Sequence, residues 1–258
     1  MTRFRRLVLE LGHGADPETI RAAAGFAQLL GVELFALFVE DETLLHASAL
    51  PFAREISSLS LQWRPLQADR LQTELKAAAE QARRHLEAAA QDTGIKQSFE
   101  VRRGDLAVHV TDLCIASDIV VVSPPRRPGS GSTRGFVRLR QTACQSVASV
   151  LHLPAAERRH TGSVVAIAAG AADPGLELAR WIATEAHEPL LVLALPGSVI
   201  EGEANLRPLA GNSAHDITAV LGEVQERLIV MTRAAETEDP GSALAAARGV
   251  PVLVLEPV

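Results

Sequence analysis

The chain has 258 residues, 47% of them hydrophobic and 22% charged, a composition that predicts a folded globular protein and excludes a disordered or collagen-like one. The formal net charge of −6 is concentrated in residues 155–258, which carry 7 Lys and Arg against 14 Asp and Glu, and this acidic part argues against nucleic acid as the main partner. We expect neither a membrane span nor a secretory signal, and the two cysteines indicate neither a disulfide framework nor a thiolate zinc site, so a cytoplasmic location without a membrane partner is the expectation.

Alternating strands and helices are predicted for the first part of the chain. Continuous apolar runs predict strands at 5–11, 33–39, 97–102, 118–123 and 148–153. Helical periodicity predicts helices at 17–30, about 66–92, 105–116 and about 138–147. Strands separated by helices are joined by crossover connections, which give a parallel sheet with helices on both faces. The segment from Thr43 to Pro65 is predicted to be an irregular or partly helical insertion that could cap a groove.

The second part of the chain repeats the first. At an offset of 157 residues, residues 5–39 align without a gap with residues 162–196, and both copies run strand, small-residue turn, Ala-Asp-Pro, helix and strand. Asp16 and Asp173 occupy the position of a helix N-cap, where a carboxylate accepts amide hydrogens, and a proline follows each of them at the first helical position. Later landmarks recur as well, because residues 118–122 match 227–231 and residues 149–153 match 251–255.

The second copy is the shorter of the two. After a strand at 190–195, a connection that contains Gly, Pro and Asn leads directly to a helix at 216–222 and a strand at 227–231. The third strand and the long helix are therefore expected to be largely lost, leaving about four strands.

We predict an α/β protein with domains at 1–156 and 157–258. Two Rossmann-like or flavodoxin-like open parallel sheets, with helices on both faces, are expected to pack as a pseudo-dimer.

Three further segments give the sequence its resemblance to a known family. They are the Arg103-Gly104-Asp105 turn, the Ala116-Ser117-Asp118-Ile-Val-Val-Val strand and the closing segment Val250–Val258. In their order and spacing, these segments and the duplicated strand–helix unit resemble the universal stress protein family. The resemblance implies a five-stranded parallel sheet in each copy and pairing through the last strand, so a chain with two copies looks like a dimer fused into one polypeptide. The family contains members that bind ATP and members that do not.

The nucleotide motif of the ATP-binding members is altered in the first copy. Those members carry Gly-x-x-Gly after the fourth strand, then nine residues and Gly-Ser or Gly-Thr, and an Asp that closes the first strand. Glycine lets backbone amides approach the phosphates, and a helix N-terminus favours their charge. Here the two glycine positions fall on Ser123 and Arg126, and Leu11 or Gly12 occupies the Asp position.

The motif is altered further in the second copy. Its glycine positions fall on Thr232 and Ala235, and the following loop carries three acids between 236 and 239. These acids would repel a triphosphate, so the second copy is expected not to bind ATP.

The first copy keeps some features of an anion site. Three prolines between 124 and 128 remove amide donors from the loop, but a segment of glycines and hydroxyl residues follows, and five arginines lie in residues 119–156, where no acid occurs. Gly129 and Gly131 could form an anion nest, and arginine forks bind phosphate oxygens in pairs, whereas the alternative is a flexible surface loop with solvated arginines. His13, in the turn after the first strand, could face the same cleft. The candidate ligand-binding residues are Gly12, His13, Ser123, Arg126, Gly129, Ser130, Gly131, Ser132 and Thr133, and the candidate cofactor is ATP or AMP.

The sequence contains no catalytic constellation. It lacks a Gly-x-Ser-x-Gly elbow and a pair of histidines at metal-ligand spacing, so neither a catalytic residue nor a metal is predicted. Cys114 and Cys144 lie on predicted helices and are expected to be buried small side chains. The sequence thus predicts a non-catalytic, cytoplasmic, tandem universal-stress-type protein that acts in stress adaptation by binding a small ligand or a protein.

Two alternatives for the function stay open. The first is an adenine-nucleotide-binding protein, with or without slow ATP hydrolysis, that uses the loop after the fourth strand of the first copy. The second is a regulatory interaction module that uses the insertion at 43–65. A further homodimer of the pseudo-dimer is also compatible with the sequence.

Overall fold

A ten-stranded sheet is the framework of the protein. The computed structural model describes residues 4–12, 16–56, 61–124, 132–155, 161–233 and 240–257. The strands are β1 (Arg6–Leu11), β2 (Glu33–Asp41), β3 (Arg54–Ile56), β4 (Trp63–Pro65), β5 (Gln97–Gly104), β6 (Asp118–Val122), β7 (Ser149–His152), β8 (Ser163–Ala168), β9 (Leu190–Ala194), β10 (Leu206–Pro208), β11 (Glu226–Thr232) and β12 (Val252–Leu255). Strands β3 and β4 form a separate antiparallel hairpin.

The helices of the described residues connect these strands in the predicted alternation. They are α1 (Pro17–Leu30), α2 (Glu42–Ser48), α3 (Ala68–Thr93), α4 (Leu106–Leu113), α5 (Ser132–Gln145), α6 (Pro174–Ala186), α7 (Ala214–Leu221) and α8 (Gly241–Arg248). The sequence signals at α1 and α6 are in place, since Pro17 and Pro174 stand at the start of each helix and Asp16 and Asp173 at each N-cap. The Asp173 carboxylate accepts a hydrogen bond from Gly175 N at 2.8 Å, whereas the Asp16 side chain makes no capping hydrogen bond, contrary to the expectation.

The sheet consists of two parallel halves that meet at one antiparallel contact. Its strand order is β10-β9-β8-β11-β12-β7-β6-β1-β2-β5, and every neighbouring pair is parallel except β12 and β7. In that pair Leu151 lies opposite Leu253, so an approximate twofold axis relates the first half (residues 4–155) to the second half (residues 161–257). The predicted α/β class and pseudo-dimer are confirmed, with the two predicted sheets joined edge to edge. The predicted domain boundary at 156 and 157 lies outside the described residues.

The two faces of the sheet are covered differently. On one face, α1, α3 and α6 bury a single apolar cluster that runs through both halves, with Ile20, Leu86 and Leu176 fully buried in it. On the other face, α4 and α5 cover one cluster in the first half, and α7 and α8 cover another in the second half. Because parallel sheets need apolar cover on both faces, the shared layer ties the shorter second half to the first half.

Two details of the fold differ from the sequence-based expectation. Helix α5 begins at Ser132, six residues before the predicted start. The second half keeps a short third strand, β10, so it contributes five strands to the sheet rather than four. This strand pairs with β9 through hydrogen bonds such as those from Val192 N to Asn205 O at 2.9 Å and from Leu209 N to Ala194 O at 2.8 Å.

Arg233 fastens the second half to the first half. It directly follows β11, and its guanidinium donates hydrogen bonds to the carbonyl oxygens of Ser146 at 3.0 Å and Ala148 at 3.3 Å, immediately before β7. The same guanidinium forms an ion pair with Glu256, whose backbone N–H donates to Ser149 Oγ at 3.3 Å. The turn that leads into β7 is therefore held by charged hydrogen bonds from the other half.

We expect Arg233→Ala to lower the free energy of unfolding by about 2 kcal/mol, because it removes charge-assisted hydrogen bonds and leaves carbonyl groups at the junction without a donor. Urea denaturation followed by tryptophan fluorescence measures this loss. Arg21→Ala, which removes an exposed arginine from α1, is the control and should change stability by less than about 0.5 kcal/mol. Equal losses in the two variants would contradict the role of Arg233.

Candidate functional site

The strand order of the first half reverses at one point, between β1 and β6. From β1 the chain moves outward to β2 and β5 and then returns to β6 on the other side of β1. Helix α1 follows β1 onto one face, and α5 follows β6 onto the opposite face, so the carboxyl ends of β1 and β6 form the topological switch point of this half. Open α/β sheets bind their ligands at this position. We call it the first-half crevice and define it by residues 10–12 and 122–124.

The structure brings two of the candidate ligand-binding residues to this crevice. Strands β1 and β6 are parallel neighbours with Leu9 opposite Val121, so Gly12 and Ser123 lie at the same edge of the sheet, and both are partly buried. Ser132 and Thr133 lie in the first turn of α5, and their backbone comes directly after the loop that connects β6 to this helix. His13, Arg126, Gly129, Ser130 and Gly131 lie outside the described residues and stay predictions.

Glu10 is a crevice residue that was absent from the candidate set. Val8, its neighbour in β1 on the same face, packs in one cluster with Val120 and Val122, and the Oε1 of Glu10 lies 3.1 Å from the position that a Cβ on Gly12 would occupy. The side chain is partly buried and makes no hydrogen bond or ion pair within the described part of the chain. Desolvation by burial therefore raises the pKa of the Glu10 carboxyl from 4.5 to about 7. The sequence signal that could have identified Glu10 is its position as a single acid inside the apolar run of residues 7–11.

The corresponding crevice of the second half is closed by its own residues. Thr232 Oγ1 donates a hydrogen bond to Asp173 Oδ1 at 2.6 Å, and Gly175 N donates to the same carboxylate oxygen at 2.8 Å. Ala169 N, after β8, donates to Asp173 Oδ2 at 2.9 Å. A Cβ on Gly175 would lie 3.0 Å from Thr232 Oγ1 and 3.3 Å from the carbonyl carbon of Met231, so the start of α6 rests directly on the end of β11.

The internal symmetry shows which residues correspond in the two crevices. In the first half Val8 pairs with Val120, and in the second half Val165 pairs with Ile229. Counting on from these pairs, Ser123 corresponds to Thr232, at the positions where the sequence comparison placed the first motif glycine of each copy. By the same count, Glu10 of the first half corresponds to Ile167 of the second half. The side chain of Ile167 is fully buried.

Among the described residues, Cys114, Cys144 and His109 do not add a reactive group to either crevice. Burial, reinforced by the Asp118 carboxylate and opposed by Arg6, raises the pKa of the Cys114 thiol to about 12, so this thiol is protonated at neutral pH. Cys114 is buried as expected, whereas Cys144 on α5 is only partly buried. His109 lies on α4 with its Nε2 3.0 Å from the carbonyl oxygen of Arg103.

The described residues form neither a metal-binding cluster nor a helix that could span a membrane. Among them, no group of three or more His, Cys, Asp or Glu side chains is placed to hold a metal ion. None of their helices combines the length and the apolar character that crossing a membrane requires.

The insertion between β2 and α3 carries an exposed apolar surface. Its apolar side chains Leu50, Phe52, Ile56, Leu61 and Trp63, which we call the hairpin surface, are between 47% and 78% exposed. Ile56 lies opposite Trp63 across the hairpin, while the paired Glu55 and Arg64 on the other side form an ion pair. The described residues of the insertion thus form α2 and the two strands of a hairpin.

Comparison with solved structures relates this fold to known proteins. A universal stress protein from Archaeoglobus fulgidus DSM 4304 superposes with a TM-score of 0.65 at 14% identity, with 96% of each chain covered. A functionally unknown protein from Pseudomonas aeruginosa PAO1 has a TM-score of 0.58 at 15% identity, with 98% of this chain and 93% of that chain covered. A candidate universal stress protein from Pseudomonas aeruginosa UCBPP-PA14 has a TM-score of 0.54 at 15% identity, with 98% and 94% covered.

These neighbours establish that the chain has the fold of universal stress proteins over nearly its whole length, as the motif resemblance predicted. No protein-family model and no curated protein sequence matches the chain.

The buried carboxyl of Glu10 predicts a pH dependence of stability. Its folded pKa of about 7 exceeds its unfolded value of 4.5, so the folded state binds more protons between these values and stability falls as the pH rises from 4.5 to 7. The full effect is roughly 3 kcal/mol. We expect Glu10→Gln to abolish this fall and to be more stable than the unmodified protein at pH 8, as measured by urea denaturation at pH 5, 6, 7 and 8.

The matched control is Glu223→Gln, which makes the same change at an exposed position. It should follow the profile of the unmodified protein. If Glu10→Gln also follows that profile, the carboxyl of Glu10 is not desolvated in the folded state.

Proposed function

We propose that the chain is a non-catalytic, cytoplasmic tandem protein of the universal stress type that takes part in stress adaptation by binding a small ligand in the first-half crevice. The second half then serves as the structural partner of the first. One observation carries this proposal: the second half closes its crevice with Thr232, Asp173 and Gly175, whereas the first half keeps the matching acid, Asp16, but has Ser123 and Glu18 in place of Thr232 and Gly175.

The residue that follows the helix proline supports an open first-half crevice. In the second half, Gly175 follows Pro174, and its missing side chain lets α6 approach β11 closely. In the first half, Glu18 follows Pro17 at the corresponding point, and a side chain there does not fit that close approach. The start of α1 must therefore stand farther from β6, which leaves room at the edge formed by Gly12 and Ser123.

An adenine nucleotide is the second candidate for the ligand of this crevice. It is favoured by the position of α5, which begins at Ser132 directly after the arginine-containing loop, because a helix N-terminus and arginines both attract phosphate. Pro124 and the Glu10 carboxylate act against a triphosphate, since the first lacks an amide donor and the second repels negative charge.

Ligand binding is tested on freshly purified protein. We expect denaturation to release a small molecule detectable by chromatography with mass detection, and Ser123→Phe, which fills the crevice, to release none. A thermal-shift titration with ATP, ADP and AMP tests the nucleotide candidate, because a ligand that binds only the folded state raises the melting temperature in a saturable manner.

The control for the nucleotide candidate compares two double variants with the same loss of charge. Arg126→Ala with Arg134→Ala should abolish a nucleotide shift, whereas Arg21→Ala with Arg84→Ala, on exposed faces of α1 and α3, should preserve it. An empty protein that responds to no nucleotide would contradict ligand binding in the crevice. Turnover of ATP that depends on residues 123–135 would contradict the non-catalytic assignment.

The hairpin surface favours a second contact, with another copy of this chain. Taking about 200 Å² for each of its side chains, it exposes roughly 600 Å² of apolar area, which is close to the 800 Å² or so that one partner buries in a stable interface. Glu55 and Arg64 pair with each other on the other side of the hairpin, and Arg54 adds a single exposed charge beside Ile56, which is less than the cluster of basic residues that an anionic membrane attracts. A two-stranded hairpin is also marginally stable by itself and gains from a further layer.

We expect the protein to dimerise through this surface at micromolar concentration, and Phe52→Ser with Trp63→Ser to make it monomeric. Size-exclusion chromatography with light scattering, over a range of concentrations, measures the mass. Val199→Ser removes an equally exposed apolar side chain of the second half and should leave the dimer intact. A monomer at all concentrations, or a dimer that both variants retain, would contradict the contact.

A further inference from the structure

The two halves place different chemistry at one equivalent position in the sheet. Glu10 of β1 lies opposite Leu37 of β2, and Ile167 of β8 lies opposite Leu193 of β9. Each projects onto the face that the last helix of its half covers, α5 in the first half and α8 in the second. The two side chains therefore occupy equivalent positions in the sheet, on the same face.

The fold itself does not require a carboxyl at this position. Ile167 fills the equivalent place without exposure and packs with Val165, Leu193 and Met231. The residues around Glu10 are just as apolar, since Val8, Leu37 and Val122 line the same face of the sheet. An acid in such surroundings costs free energy of folding, because it loses hydration without gaining a partner among the described residues. Its presence at the mouth of a crevice therefore calls for a ligand rather than for a structural explanation.

Several charged or titratable groups on the elements around the crevice have partners of their own. Arg138 of α5 pairs with Asp105, which caps α4, at 2.6 Å. Arg103 at the end of β5 pairs with Glu40 at 3.1 Å. On β7, His152 is buried and has its own interaction. On β6 the acid Asp118 lies at the opposite end of the strand, where it pairs with Arg6. Within the described residues, none of these groups compensates Glu10.

We propose that Glu10 is the residue of the first-half crevice that contacts the ligand, and that the ligand presents an N–H or O–H donor to it, as an amino or hydroxyl group does, and not a phosphate. A carboxylate is an acceptor with two oxygens, so a donor satisfies it, whereas a phosphate oxygen meets it with like charge. The side chain is partly exposed and lies against the backbone at Gly12, so a molecule in the crevice reaches it. This inference rests on the proposed function, because it assumes that the crevice binds a small ligand.

The first arm of the test measures stability without a ligand. We expect Glu10→Ile, which installs the side chain of the second half, to be more stable than the unmodified protein at pH 8. The reciprocal Ile167→Glu should be less stable. Urea denaturation provides both comparisons. If Glu10→Ile is instead destabilised, Glu10 has a structural role and the proposal is overturned.

The second arm uses adenosine as the probe, because it offers an amino group and ribose hydroxyls without a phosphate. We expect adenosine to bind the unmodified protein in calorimetry, Glu10→Ile to bind it tenfold to a hundredfold more weakly, and Glu223→Gln to bind it unchanged. Inosine, which keeps the hydroxyls but lacks the amino group, distinguishes the two sources of the donor. Any compound released from the unmodified protein on denaturation should be missing from Glu10→Ile.

The failures of this proposal and of the proposed function are distinguishable. Equal binding of adenosine to the unmodified protein and to Glu10→Ile, or retention of the released compound by Glu10→Ile, overturns the role of Glu10 but leaves a ligand-binding crevice. Binding of inorganic phosphate that is lost in Glu10→Ile overturns the ligand class. A protein that releases no compound and binds neither adenosine nor AMP overturns the proposed function and this inference with it.

Discussion

The antiparallel pairing of β7 with β12 is the contact on which the rest of the structure depends. It turns two parallel half-sheets into one, and it lets α1, α3 and α6 bury a single apolar layer across both halves. Arg233 reinforces the pairing from the side, because it binds carbonyl groups at the turn before β7. The second half, which has a three-residue outer strand and lacks a counterpart of α3, obtains from this shared layer the burial that its own elements do not supply.

The two crevices differ because a few side chains determine how closely helix and strand approach each other. Thr232 carries a hydroxyl that reaches Asp173, and Gly175 lets the start of α6 come into contact with β11. In the first half, Ser123 stands in place of Thr232 and is one methyl group smaller. Glu18 stands in place of Gly175 and has a much larger side chain. A third difference, Glu10 in place of Ile167, places an ionisable group where the second half has a fully apolar core. At the same place in the fold, the second half thus favours close packing of helix and strand, and the first half favours access of a ligand to the strand ends.

Most of the fold could be predicted from the sequence, because strand-sized apolar runs and the repeated Asp-Pro signal are local patterns. The third strand of the second half could not be, since Leu206–Pro208 is short, contains a proline and lies at an edge, where pairing with β9 alone defines it. The early start of α5 was hidden because its first turn, Ser132 to Gly135, has no large apolar residue, and core packing begins only at Phe136. At the site, Gly12 and Ser123 followed from motif spacing, but Glu10 did not. Glu10 stands out only because it occupies the same sheet face and strand register as Ile167. Neither the face nor the register can be read from the sequence alone.

Covalent fusion of the halves changes what a substitution can do. In a symmetric homodimer every replacement occurs twice, so a side chain that improves packing in one subunit also fills the binding crevice of the other. In this chain, Thr232 and Ser123 are encoded by separate codons. A mutation can therefore alter one crevice and leave the other unchanged. The pair also forms within one molecule, so its assembly is independent of protein concentration. A fold built on twofold symmetry is in this way freed from the requirement that its two halves have the same task.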